Sequence, residues 1–188
     1  GQEEHGEAGH IHEEGDPHTW TDPNNVLVWV DNIERALVEA DPDHAAEYQQ
    51  NAKSYRQELQ ELDAWVREQV QQVSPERRLL VTDHLVFSYF AERYGFEQVG
   101  AVIPGYSTLS SPSAQQLAEL EDHIRTLGVP AIFVGNTAST TLSERVAQDL
   151  GVEIVTVITG SLTPEDGPAP TYIDYIRYNT SVITDALK

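Results

Sequence analysis

Histidine and carboxylate are the only strong metal donors available to this chain, because it contains no cysteine. Four of its seven histidines, His5, His10, His12 and His18, fall within residues 1–18, together with six carboxylates, four glycines and no Lys or Arg. Neutral imidazole mixed with carboxylate is a donor set suited to Zn²⁺ or Mn²⁺. The alternative is a plain solvated acidic tail, and composition alone does not choose between them. Either way the segment has no apolar face to bury. Residues 1–15 are therefore expected to be a flexible His/Glu-rich stretch that would collect cations with poor geometry rather than hold one in a fixed site.

His84 is a different kind of candidate. It follows Thr82-Asp83 at the end of a predicted strand and precedes Leu85-Val86-Phe87, so it is held in place rather than floppy. A lone histidine there is either a satisfied structural residue or a functional one. His44 and His123 fall in helical patterns and are expected at the surface.

Other chemistries find less support. The chain carries 31 Asp and Glu against 11 Lys and Arg, a formal net charge of −20, which opposes nucleic acid and anionic membrane surfaces as partners. No G-x-S-x-G elbow, P-loop or G-x-G-x-x-G is present, and the two lysines, Lys53 and Lys188, lie away from any predicted strand end. An enzymatic function is not expected. No stretch approaches 18 consecutive apolar residues, so no membrane insertion is expected, and no basic-then-apolar leader is seen at the start.

The elements that must position these residues can be read from periodicity. Val26, Val30, Ile33 and Leu37 recur at helical spacing behind a cap at Asn24 or Asn25. A second, long helix is predicted from Asp43 to about Val70, with Tyr48, Ala52, Tyr55, Leu59, Leu62 and Val66 on one stripe. After Ser74-Pro75, β-branched runs at Leu79–Thr82, Val99–Ile103, Ala131–Val134 and Ile154–Ile158 alternate with helical patterns at Val86–Tyr94, Ser113–Leu127 and Ser139–Leu150. A last helix runs from Thr171 to about Leu187. The order predicts an α/β fold, a four-stranded mostly parallel sheet flanked by helices and preceded by a long backbone helix. Ligands in such folds sit at the C-terminal strand ends: Thr82 to His84, Pro104 to Ser107, Gly135 to Thr137 and Thr159 to Ser161.

Two blocks of this sequence resemble motifs of a known family, the periplasmic metal-binding proteins of zinc and manganese ABC importers. Asp16-Pro17-His18-Thr19-Trp20-Thr21-Asp22-Pro23 is similar to the family's D-P-H-x-W-x-D-P, and Thr82-Asp83-His84 through Phe90-Ala91 to its T-x-H-x-A-F-x-Y-F-A. Ser111-Pro112-Ser113, Ile132-Phe133-Val134 and Tyr178-Asn179 match in order. The His-rich segment ahead of the D-P-H motif resembles a loop of the zinc-specific members.

The resemblance implies a metal held between two α/β lobes joined by a rigid helix. Residues 16–42 would belong to the first lobe, 43–73 to the linking helix and 74–188 to the second lobe. His18 would be a ligand from the first lobe and His84 one from the second. Two expected ligands are missing. One is an earlier histidine of the first lobe; the other is the Asp of a T-D-S-L segment, where this chain reads Thr159-Gly160-Ser161-Leu162. Water, Glu165 or Asp166, or a three-histidine set would complete the site. Gly135 stands where members often carry Glu, which puts the support behind the ligands in question. The implied partners are the metal ion, Zn²⁺ ahead of Mn²⁺, and the membrane permease of an ABC importer, outside the cytoplasm, with any signal or lipid anchor outside this chain. A dimer through the apolar first helix is a further expectation. The alternative reading is an adhesin or interaction protein on the same fold with weakened metal binding. Because imidazole must be neutral to ligate, metal affinity is expected to fall below about pH 6.

Overall fold

A computed structural model describes residues 15–107, 109–136 and 140–188; the expected flexible segment up to residue 14, with His10 and His12, lies outside the described residues. The first helix, α1 (Pro23–Ala40), starts one residue or more before the sequence reading. Asp22 rather than Asn24 caps it: its side chain accepts the Asn24 N–H at 2.8 Å, and Pro23 takes the first turn, where no N–H is needed. The long helix, α2 (Ala45–Val70), follows a short turn at Pro42–His44 and, at about 1.5 Å per residue, runs ~39 Å. Its two halves differ. Leu59, Leu62, Val66 and Val70 are buried in the core, whereas Tyr48, Ala52 and Tyr55 are only half-buried against α1. Arg56 ties the two helices by donating to Asp31 and Glu34. The outer edge of α1 stays apolar and open, with Val28 and Ile33 each 56% exposed.

The remainder alternates strand and helix: β1 (Leu79–Thr82), α3 (Ser88–Tyr94), β2 (Glu97–Ala101), α4 (Ala114–Leu127), β3 (Ala131–Gly135), α5 (Thr141–Leu150), β4 (Glu153–Val157) and α6 (Tyr172–Leu187). All neighbouring strands pair in parallel, in the order β2-β1-β3-β4. Alternate strand residues feed two cores. Leu80, Phe133 and Val157 face the cluster built with α2, α3 and α6, while Val81, Ile132 and Val134 face the one under α4 and α5. The α/β prediction thus holds, with a sheet that is parallel throughout.

Boundaries of β4, β2 and α3 also move, each for a local reason. β4 ends at Val157 because the backbone of Ile158 is claimed on both sides by the Asn179 side chain, at 2.9 and 2.8 Å. Pairing of β2 starts early, at Glu97, whose N–H donates to Arg78, and persists past the strand as Val102 and Ile103 donate to the carbonyls of Thr82 and Asp83. α3 begins at Ser88 rather than Val86, because Leu85 and Val86 donate to Gly105 and His84 instead of extending a helix. That turn is the one that carries His84.

Candidate metal site

The strand order reverses between β1 and β3, and their C-terminal ends form the crevice where folds of this kind place ligands. His84 sits there, directly beyond β1. Its carbonyl accepts from Thr82 Oγ1 at 2.6 Å, and the Asp83 N–H donates to Phe133 of β3 at 3.0 Å. His18 arrives from the other direction on the short turn ahead of α1, with its carbonyl accepting from Thr21 Oγ1 at 2.9 Å. The two rings meet edge-on with centroids 5.3 Å apart, and the residues are only 6% and 7% exposed.

Both imidazoles are held in the same way. His18 Nδ1 lies 2.8 Å from Asp16 Oδ1, and His84 Nδ1 lies 2.8 Å from Asp83 Oδ1. An ionised carboxylate can only accept, so in a neutral imidazole this contact places the proton on Nδ1 and the lone pair on Nε2. A carboxylate behind a histidine is the arrangement that fixes tautomer and ring orientation for ligation. Asp83 is itself fixed, since its Oδ2 accepts the Gly135 N–H at 2.9 Å. The rings line a cavity of about 350 Å³ shared with Trp20, Tyr106, Thr159 and Gly160. Trp20 stands edge-on to His18 at 5.3 Å and donates its Nε1–H to the Tyr175 hydroxyl. Burial pushes that phenol up to about 12, so it stays protonated.

The structure brings His18 and His84 together and leaves Glu165 and Asp166 apart from them. Glu165 and Asp166 are exposed and do not line the cavity. Their loop folds on itself, with Gly167 donating to Pro164 and Thr163 to Ala169, which keeps both acids at the surface. Among the described residues, no third His or carboxylate joins the pair. His44 and His123 are at the surface, as their helical positions suggest. The sequence reading did not single out Asp16 and Asp83 as supports. The available signal was an acid one or two residues ahead of each histidine.

Gly135 is required rather than deficient. A Cβ built on it would fall 2.5 Å from Thr159 Oγ1 and 3.1 Å from Asp83 Oδ2. Gly135→Ala should cost about 1–3 kcal/mol by forcing one of those side chains aside, read as a lowered urea midpoint. A variant as stable as the parent would show that the contact is not tight.

The chain belongs to the ZnuA family, described as zinc-uptake complex component A, periplasmic, whose profile matches residues 1–186. It is 36% identical over 173 residues to the manganese-binding lipoprotein MntA of Halalkalibacterium halodurans, covering 92% of this chain and 57% of that protein. The periplasmic zinc binding protein TroA from Treponema pallidum superposes with a TM-score of 0.85 at 31% identity, covering 92% of this chain and 64% of TroA. A mutant of the laminin-binding adhesin Lmb from Streptococcus agalactiae gives 0.83 at 29%, covering 92% and 63%. The chain spans a little over half the length of the relatives it matches. Among the described residues, no helix is long and apolar enough to cross a membrane.

Proposed function

We propose that this chain is part of the extracytoplasmic binding component of an ABC importer, which captures a transition-metal ion and hands it to the permease. The observation that carries the reading is the pair of adjacent buried imidazoles, each with its Nδ1 against a carboxylate, which would leave each Nε2 to ligate. His18 and His84 are the proposed ligands, with Asp16 and Asp83 behind them. Further ligands would come from water and from polypeptide of the kind that makes up the rest of the longer relatives. Polypeptide of that kind, rather than a second copy of this chain, is what we take to cover the apolar edge of α1, since the relatives lend a dimer no support.

Zinc is the proposed cargo ahead of manganese. Nitrogen donors suit Zn²⁺, whereas Mn²⁺ favours oxygen, and Gly160 offers no carboxylate to this cavity. In calorimetric competition, the intact protein should bind Zn²⁺ at least about 10-fold more tightly than Mn²⁺. Equal or reversed affinities would overturn the choice of metal. The likeness to the adhesin Lmb favours a second reading, an interaction protein on this fold with weakened metal binding. Absence of any uptake of either ion by the intact protein would support it over the first.

A further inference from the structure

Both histidine-bearing turns lead into helix ends that converge on one side chain, Asp63 of α2. Four residues beyond His18, Asp22 caps α1, and Asn24 of that first turn donates Nδ2–H to Asp63 at 3.2 Å. Four residues beyond His84, α3 begins, and its last turn delivers Arg93 and Tyr94. Arg93 donates through Nε and Nη2 to the two oxygens of Asp63, each at 3.1 Å, and the Tyr94 hydroxyl donates at 3.0 Å. Arg67, one turn along α2, adds a contact at 3.2 Å. The same Arg93 guanidinium reaches Asp22 at 3.8 Å, closing a circuit from the His18 turn through α3 and back to α2. Near the cavity, the Tyr89 hydroxyl at the start of α3 donates to the Asp16 carbonyl at 3.3 Å, so the same two segments are joined again beside the ligands.

Resting on the metal-binding reading above, we propose that Asp63 is a positioning residue for the metal site, latching the turn that carries His18 to the helix that follows His84. Its side chain is 18% exposed, so the pairs are shielded enough to hold geometry, unlike ion pairs fully in water. Burial by itself would raise the Asp63 carboxyl, but the hydrogen bonds from Arg93, Tyr94 and Arg67 outweigh it and hold it below the usual range. The group is therefore an anion whose two oxygens are divided among donors from α1, α2 and α3. Among the described residues, no other side chain of α2 hydrogen-bonds to both segments. Asparagine at this position keeps the size but turns one acceptor into a donor facing the guanidinium, which breaks the fork.

The test uses the intact protein as wild type, Asp63→Asn, Arg93→Lys and His84→Ala, with zinc affinity measured by chelator competition and the visible spectrum recorded with Co²⁺ in place of zinc. Asp63→Asn is expected to weaken zinc binding about 10-fold or more and to shift the Co²⁺ bands, because the ligand geometry changes. Arg93→Lys, which keeps the charge and loses the two-point contact, should do the same to a smaller degree and decides the matter if Asp63→Asn does not fold. Unchanged affinity and bands in the folded variants, or a lower melting temperature with unchanged bands, would overturn the latch and leave the site assignment standing. Wild-type affinity in His84→Ala would instead remove the metal-site reading, and the latch with it.

Discussion

If His84 is a ligand as proposed, replacing it by alanine should lower the zinc affinity of the intact protein by more than about 100-fold. The magnitude follows from a comparison: altering a group behind a metal ligand costs about 10–100-fold, and removing the ligand itself costs more. Asp83→Asn supplies that lower reference within the same turn, since it leaves the imidazole in place but weakens the hold on Nδ1. The two variants should rank in that order when titrated against a competing chelator. His84→Ala should not unfold the protein, because the ring faces a cavity rather than the packed cores. Equal affinities for His84→Ala and wild type would remove His84 from the site.

The second large effect is on stability. Phe133 is fully buried on β3, flanked by β1 and β4, and belongs to the cluster that packs the sheet against α2, α3 and α6. Phe133→Ala should cost about 3–5 kcal/mol, the range for truncating a buried aromatic ring. That is a large share of the roughly 5–15 kcal/mol that holds a typical domain together. The measurement is the urea midpoint, with an unchanged slope indicating that stability rather than compactness has altered. A cost under about 1 kcal/mol would mean that the core closes over the gap. Because the Phe133 carbonyl also accepts the Asp83 N–H, loosening this strand is expected to reach the His84 turn.

Much of this architecture is legible in the sequence because its signals are local. Ser113 with Gln116 makes a reciprocal cap, Gly128 adopts a left-handed conformation at the other end, and α4 lies between them as the sequence indicates. The β-branched runs mark four strands for the same reason. What is not local is not legible. Nothing in the run Ala131–Val134 says that β3 lies beside β1, yet that adjacency is what puts Gly135 under Asp83. The boundary of β4 depends on Asn179, 21 residues away in sequence. Glu165 and Asp166 look available as donors until the backbone of their own loop is seen to turn them outward. His18 and His84 were identifiable from their motifs, but their approach is a property of the folded chain.

The carboxylate held behind each histidine has a thermodynamic consequence. A side chain that must be ordered when a partner arrives takes about 0.5–1.5 kcal/mol out of the binding energy. Here both rings are oriented as the chain folds, by acids one and two residues away, so that entropy is lost before any cation enters. On the proposed reading, a cation reaching this cavity would meet two rings already held in place and would have chiefly its own water to shed.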